Sequence, residues 1–296
     1  MAKLTEYASL EEKAQSYGNC HKVVKTASEL QDELGGLFKK NALLFRGVNQ
    51  AKYKLFTSGQ REYIQNEYAK VGVFFDNFMQ SLLHNVDADA DLKEYNTVAK
   101  IKTNASYYFT YLQHYGACSP YIDFSTNLRV ALFFSTFQMQ QLPSSVDIDN
   151  YYSLYYVAKK DIPFIRDRYK KLLAEATATN NVRKIELNMN ALIEMQLFYV
   201  SWQHHSGLFG NHRYLYRMPN RNMLAQKGAL IFNASDSTPL EELDILKGKI
   251  HCIDIHKSLW QKMQTMYLQG IIEEKLFPCE YRVAKQAYTD FKQTLQ

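Results

Sequence analysis

The order in which helix-like and strand-like segments follow one another constrains the fold of this chain most strongly. Short runs rich in β-formers predict strands at residues 41–47, 120–124, 151–159, 228–233 and 249–256. Apolar residues at steps of three and four predict helices at 61–83, 104–114, 127–140, 257–269 and 279–295, and a mostly helical, charged segment at 161–196. Strands and helices do not alternate regularly, as a doubly wound parallel sheet would require. We therefore predict an α+β fold, with a central mixed or antiparallel sheet and flanking helices.

The segment that starts at Thr26 carries signals for both ends of a helix. Thr26 and Glu29 have the spacing of a capping box, which satisfies the first backbone N–H groups of a helix. Two leucines four residues apart then fall on one face. The pair Gly35-Gly36 predicts that the helix ends there.

Bulk properties exclude several classes of protein. The 296 residues suffice for one large domain or two small ones, and 46% hydrophobic with 22% charged residues is typical of a globular chain. A net charge of +5 is too small to indicate nucleic-acid binding. No apolar run approaches the ~20 residues that cross a bilayer, and the polar N-terminal segment is no signal peptide. Four widely spaced cysteines predict neither disulfides nor a zinc site, so we expect a cytoplasmic protein without a membrane partner.

A strand, a polar turn and an apolar helix follow one another in residues 121–137, YIDFSTNLRVALFFSTF. The turn carries Asp123, Ser125 and Thr126. One interpretation is the lip of an active site. The other is a capped helix, in which Ser125 or Thr126 caps the first turn and the apolar residues, including both phenylalanines of the ALFF run, fill the core. Capping needs one hydroxyl and does not explain Asp123 beside two of them.

Arg46 and Gly47 stand at the end of the first predicted strand. The planar fork of an Arg suits a phosphate or a carboxylate, and Gly47 leaves room for a ligand to approach the backbone. The alternative is an Arg that pairs with an acid of the same protein. His114 and Tyr115 end a predicted helix, where a His also serves to complement the helix dipole.

Residues 217–232, RMPNRNMLAQKGALIF, place Arg221 and Gln226 just before a predicted strand. The amide of Gln226 can position a ligand through hydrogen bonds, but it is not a base and cannot activate a nucleophile.

Three histidines, His204, His205 and His212, raise the question of a metal site. Adjacent His side chains diverge, and the spacing matches no familiar zinc pattern. We therefore predict a polar loop and no metal.

Taken in order, these stretches resemble the FRG domain family. Its Phe-Arg-Gly signature is matched by LFRG at 44–47. The further matching blocks are LFTSGQR at 55–61, which ends in Arg61, LQHYG at 112–116 with IDFS and VALFF after it, AQKGALIF at 225–232 and GIIEEKLFP at 270–278. The blocks cover about residues 25–295. The resemblance implies a single FRG-like domain over residues 1–296, with a helical insertion at about 160–200.

The chain departs from the family pattern at a few positions. Val48 follows the signature where the family commonly has Gln, and Cys118-Ser119-Pro120 replaces Pro-Thr-Arg. Phe124 and Ser125 replace a Trp and a Thr. The Arg of the family's Pro-Thr-Arg is therefore missing here, because Pro120 stands at its position.

A second resemblance, carried by three short patches, is to ADP-ribosyltransferases of the Arg-Ser-Glu type. It implies an ADP-ribosyltransferase-like core that binds NAD, with Arg46 on a phosphate and Ser125 and Thr126 on the nicotinamide ribose. The AQKG strand corresponds to the one that carries the catalytic Glu, but Gly228 stands at that position. Either another acid stabilises the charge on the ribose, with Asp123 as the best-placed candidate, or the fold binds a nucleotide without this chemistry.

These resemblances lead to two functional hypotheses. The first is an ADP-ribosyltransferase-like or NAD glycohydrolase-like enzyme of a bacterial setting, which cleaves an N-glycosidic bond and passes the sugar to a protein or nucleic-acid acceptor or to water. Its catalytic residues would be Asp123, Ser125 and Gln226. The residues that would bind the nucleotide are Arg46, Gly47, Arg61, His114, Tyr115, Thr126 and Arg221. The alternative is a non-catalytic module that recognises a nucleotide or a nucleic-acid end.

Overall fold

The structure is a computed structural model that describes residues 2–99, 101, 103–139, 143–178, 188–201 and 221–278. Within these ranges, seven strands form one sheet in the order β1-β7-β4-β2-β3-β6-β5. The strands are β1 His21–Val24, β2 Leu43–Val48, β3 Tyr121–Ser125, β4 Tyr151–Ala158, β5 Leu197–Ser201, β6 Gly228–Asn233 and β7 Ile250–His256. β1 and β7 are parallel, whereas the other neighbours are antiparallel. The predicted α+β fold with a mixed sheet is confirmed.

Helices flank this sheet along the described part of the chain. They are α1 Leu10–Tyr17, α2 Ala27–Phe38, α3 Ser58–Gln65, α4 Phe75–Ala88, α5 Ala90–Val98, α6 Ala105–His114, α7 Leu128–Thr136, α8 Ile165–Ala178, α9 Met189–Met195, α10 Arg221–Ala225, α11 Trp260–Tyr267 and α12 Glu273–Leu276. The helix predicted at 279–295 lies outside the described residues. None of the described helices has the length and apolar run that crossing a bilayer needs.

Two helix boundaries differ from the prediction. The single helix predicted at 61–83 is interrupted between α3 and α4, where Glu67 and Gly72 adopt left-handed backbone angles, φ 55° and 79°. The hydroxyl of Tyr63 donates to the carbonyl of Val73 across this turn, which fixes the break. Helix α2 begins with the predicted capping box but runs past its glycine pair to Phe38, because Leu37 is buried on the same face as the earlier leucines.

The core lies on both faces of the sheet. Successive residues of β2 point to opposite faces, so Leu44 packs in a cluster with α1, α4 and α6, while Phe45 packs in another with α2, α7 and α11. Each fully buried Leu side chain stabilises the fold by roughly 1.5–3 kcal/mol. Within the described residues, the sheet is therefore packed against helices on both faces.

A buried polar network holds α1 against the sheet. The ammonium of Lys13, fully buried, donates to the carbonyl of Ala51 at 2.7 Å, the hydroxyl of Ser153 at 2.9 Å and Oδ1 of Asp254 at 2.7 Å. Oδ2 of Asp254 lies 2.7 Å from Nε2 of His21 on β1. A charge pair so far from water is tolerated because these hydrogen bonds satisfy it.

Candidate functional site

A cleft of about 460 Å³ opens beside the short ladder between β2 and β3. β2 pairs with β4 along its whole length, but it pairs with β3 only through Phe45 and Ser125. The gap in the ladder leaves polar backbone groups that need other partners. The predicted site residues that line this cleft are Arg46, Gly47, Arg61, His114, Asp123, Ser125 and Gln226.

Arg46 fills part of that gap. Its Nη1 donates to the carbonyl oxygen of Asp123 at 2.6 Å, in place of a ladder bond. Its Nε is buried and has no hydrogen-bond partner among the described residues. Burial lowers the pKa of Arg46, Asp123 counteracts this in part, and the charge of Arg61 lowers it further. The guanidinium stays charged at neutral pH because the ordinary pKa of an Arg lies far above neutrality.

Arg61 brings a second guanidinium to the cleft from α3. Thr57 and Gln60 form a complete capping box that starts this helix and so fixes the Arg one residue further on. Nη1 of Arg61 makes a long bond of 3.4 Å to the carbonyl of Phe56. Arg61 is exposed as a residue, but partial desolvation of its guanidinium beside the cleft lowers its pKa, and the charge of Asp123 raises it in part. The side chain therefore keeps most of its donors for another partner.

Asp123 is the only acidic side chain among the described residues that line the cleft. Its Oδ2 accepts a bond of 2.6 Å from Nε2 of Gln113, and Oε1 of Gln113 in turn accepts one of 3.1 Å from the hydroxyl of Ser58. This chain of bonds fixes both the carboxylate and the amide orientation. The sequence reasoning missed Gln113, although it stands in the LQHYG stretch directly before His114.

His114 lines the cleft and Tyr115 does not. Nε2 of His114 is buried and has no hydrogen-bond partner among the described residues. Burial lowers the pKa of His114 and the charge of Asp123 counteracts this in part, so the imidazole is neutral at pH 7. Tyr115 is 68% exposed and packs against Tyr111, at 4.6 Å between ring centroids. Of the two residues predicted here to bind the nucleotide, only His114 therefore lines the cleft, and Gln113 lines it beside His114.

The hydroxyls of Ser125 and Thr126 bind backbone groups. Oγ of Ser125 donates to the carbonyl of Gln226 at 2.7 Å and accepts from the amide of Asn127 at 3.0 Å. Oγ1 of Thr126 donates to the carbonyl of Lys227 at 3.2 Å, and Thr126 does not line the cleft. Neither residue caps α7, because that cap is Asn127. Both hydroxyls thus join the start of α7 to the turn before β6.

The close approach at Gly47 is made by a helix. A Cβ at this position would lie 1.9 Å from the carbonyl oxygen of Ala131 and 2.4 Å from the amide of Ser135. The room that the sequence assigned to a ligand is therefore occupied by the backbone of α7, although Gly47 also borders the cleft.

Gly228 is enclosed in the same way. It pairs with Ser125 across the sheet, and a Cβ there would lie 2.8 Å from Cγ of Met223 and 3.2 Å from its carbonyl oxygen. Helix α10 thus covers the position of the missing carboxylate. Gln226 does line the cleft, and its Nε2 donates to the carbonyl of Leu276 at 3.1 Å. Arg221 begins α10, but its side chain lies outside the described part of the structure.

Aromatic rings line another part of the cleft. Phe134, Phe137 and Phe277 contact one another there, and the other aromatic residues of the lining are Phe45, Tyr53 and Phe124. Phe134 belongs to the ALFF run, which the sequence assigned to the core. The cleft therefore combines two guanidinium groups, one carboxylate, a neutral imidazole and an aromatic wall.

A possible metal-binding group occurs elsewhere in the described residues. Ligand atoms of His21, Cys252 and Asp254 lie within 4.8 Å of one another, and none of these residues lines the cleft. Asp254 is already neutralised by Lys13. His204, His205 and His212 lie outside the described residues.

The comparison with protein families adds one finding. The family model of the FRG domain matches residues 41–143. The chain contains an FRG domain. Neither the curated proteins nor the solved structures give a significant match.

The FRG domain supplies most of the polar side of the cleft. The matched range holds Arg46, Arg61, Gln113, His114 and Asp123. The described lining residues beyond that range are Asn222 on α10, Gln226 after it and Phe277 after α12. The resemblance to ADP-ribosyltransferases remains a prediction.

Proposed function

We propose that the cleft binds a nucleotide of the NAD type and cleaves its N-glycosidic bond, as an ADP-ribosyltransferase or an NAD glycohydrolase does. One observation carries the proposal. Two guanidinium groups meet a single carboxylate in one cleft, and buried nitrogens of Arg46 and His114 have no partner among the described residues. An unsatisfied buried polar group costs roughly 1–3 kcal/mol, which a ligand that pairs with it would recover.

The charges favour an anionic ligand. Arg46 and Arg61 carry two positive charges against the one negative charge of Asp123, since His114 is neutral. The described lining of the cleft is therefore positive by one unit. A guanidinium can bind two phosphate oxygens at once, and a desolvated one binds an anion more strongly. A pyrophosphate is the ligand group that two such side chains suit best.

Asp123 supplies the negative charge that the reaction needs. When the bond between ribose C1′ and the nicotinamide nitrogen breaks, both electrons leave with nicotinamide, and positive charge develops on the ribose. A fixed carboxylate stabilises that charge, and the hydrogen bond from Gln113 holds Asp123 in place. Water or an acceptor hydroxyl then adds at C1′ and releases a proton. Nε2 of His114 can accept it in the tautomer that leaves this nitrogen unprotonated.

A second candidate function is nucleotide binding without turnover. The hydroxyl of Ser125 is already bonded to backbone, and Gly228 has no space for a carboxylate. The transferase resemblance assigns a role to the Ser125 hydroxyl and a catalytic Glu to the position of Gly228, and these two features leave neither group available. They leave unchanged the two guanidinium groups that would bind phosphate.

The release of nicotinamide from labelled NAD tests the proposal. We expect Asp123→Asn to lower the turnover rate by about 100-fold or more, while the affinity for NAD stays equal or increases because a negative charge is lost. Asp91→Asn makes the same change at an exposed position of α5 and should leave both unchanged. Binding without turnover in the unaltered protein would favour the binding module. The absence of NAD binding would contradict both candidates.

A further inference from the structure

Gln226 has a contact that its predicted catalytic role does not explain. Its side-chain Nε2 donates to the carbonyl of Leu276 at 3.1 Å, which joins the end of α10 to the end of α12. Leu276 is 3% exposed, so it anchors this short helix in the protein. The next residue, Phe277, is 37% exposed and borders the cleft.

Phe277 forms an aromatic wall with Phe134 of α7 and with Phe137, the C-terminal cap of that helix. Its ring centroid lies 5.9 Å from that of Phe134 at 89°, and 6.1 Å from that of Phe137 at 34°. The loop that carries Phe137 is held by Asn49, whose Nδ2 donates to the carbonyl of Phe137 at 3.2 Å. The position of Phe277 depends on the segment that Gln226 holds.

This wall differs in chemistry from the other side of the cleft. Arg46, Arg61 and Asp123 supply charges that suit phosphate and ribose, whereas the aromatic wall supplies an apolar surface. Phe277 leaves apolar surface in water beside two further rings, and a stacked base would cover that surface. Stacking on an aromatic side chain strengthens binding of a base by about tenfold or more and is tolerant of base identity.

We propose that Phe137 and Phe277 bind a heteroaromatic base of the ligand, and that Gln226 is a positioning residue that holds Phe277 in place through Leu276. This inference rests on the proposed function, because it assigns the base to the same nucleotide. It reassigns Gln226 from catalysis to ligand recognition. An amide whose donor is bonded to backbone and which cannot act as a base fits that role.

Titration calorimetry with two ligands tests the inference. Pyrophosphate reports on the guanidinium side, and NAD reports on both sides. We expect Phe277→Ala and Gln226→Met to weaken NAD binding by about tenfold and to change pyrophosphate binding by less than about twofold. Gln261→Met, at an exposed position of α11, is the matched control and should change neither affinity.

A double variant separates positioning from direct contact. If Gln226 acts through Phe277, the variant that carries both Gln226→Met and Phe277→Ala binds NAD no more weakly than Phe277→Ala alone. Additive losses would overturn the positioning role, because they would mean that Gln226 contacts the ligand itself. NAD affinities unchanged in both single variants would overturn the inference and leave the proposed function standing. A lack of NAD and pyrophosphate binding by the unaltered protein would overturn both.

Discussion

The contact between Gly47 and α7 gives the sharpest prediction about stability. An alanine Cβ would lie 1.9 Å from the carbonyl oxygen of Ala131, where ordinary contact begins at 3.4 Å, so α7 and β2 must separate by about 1.5 Å. The opposing atoms belong to helix backbone, which cannot turn aside as a flexible side chain could. Helix α7 also packs Leu132, fully buried, against the sheet, and the same shift would loosen that packing.

The rigidity of this contact sets the loss of stability expected for Gly47→Ala. Inserting one methyl group into a well-packed core typically costs 1–3 kcal/mol, and here the obstacle is rigid. We expect the free energy of unfolding to fall by about 3 kcal/mol or more. Gly36→Ala is the matched control, because Gly36 is exposed in α2 with no atom within 4 Å of a new Cβ. Its helical position predicts a gain of roughly 0.5–1 kcal/mol.

Urea denaturation followed by circular dichroism measures both changes. Gly47→Ala should lower the urea midpoint strongly, and Gly36→Ala should raise it slightly. A Gly47→Ala protein within about 0.5 kcal/mol of the unaltered one would refute the close packing of β2 and α7.

Two buried charges give the remaining predictions. Lys13→Met leaves Asp254 buried without its cation and should lower the free energy of unfolding at pH 7 by about 3–5 kcal/mol. Burial alone raises the pKa of Asp254, but Lys13 and the hydrogen bonds outweigh burial, so the net shift is downward. The stability that the ion pair contributes is therefore present above the pKa of Asp254 in the unfolded chain. It is lost as the pH falls through the lower pKa of Asp254 in the folded protein. Urea unfolding at pH 7 and pH 3 should therefore give a smaller deficit for Lys13→Met at the lower pH, and an equal deficit would count against the pair. Burial raises the pKa of Glu241 to about 7, so ionisation of this carboxyl opposes folding. The free energy of unfolding should therefore fall by up to about 3 kcal/mol as the pH rises from 4.5 to 7. Glu241→Gln should flatten this part of the pH profile of thermal unfolding, and an unchanged slope would contradict the assignment.

The elements that the sequence predicts best are those with local signals. The capping box at Thr26 marks the start of α2, and the β-rich runs mark β2, β3, β4, β6 and β7. β1 is missed because it has only four residues and exists through its pairing with β7, more than 200 residues away. The helix predicted at 61–83 fails for a related reason, since a tertiary hydrogen bond from Tyr63 stabilises the turn that divides it.

The same distinction between local motifs and tertiary contacts applies to the residues of the site. Arg46, His114 and Asp123 can be selected from short motifs, and the structure brings them to one cleft. Gln113 escapes prediction because its role depends on two side chains from other elements. Phe134 resembles a core residue, since nothing in a helical apolar run tells which ring will border a cleft. The packing at Gly47 and Gly228 likewise depends on helices that cross the strands from elsewhere in the chain.

Binding of NAD through the guanidinium side of the cleft is the central claim, and one titration tests it directly. Calorimetry should show that the unaltered protein binds NAD and that Arg61→Gln weakens binding by about tenfold or more, the loss expected for a charge-assisted hydrogen bond. Arg129→Gln removes the same charge from an exposed position of α7 that does not line the cleft, and it should leave the affinity unchanged. An equal effect of the two substitutions, or no binding at all, would contradict the assignment of the cleft.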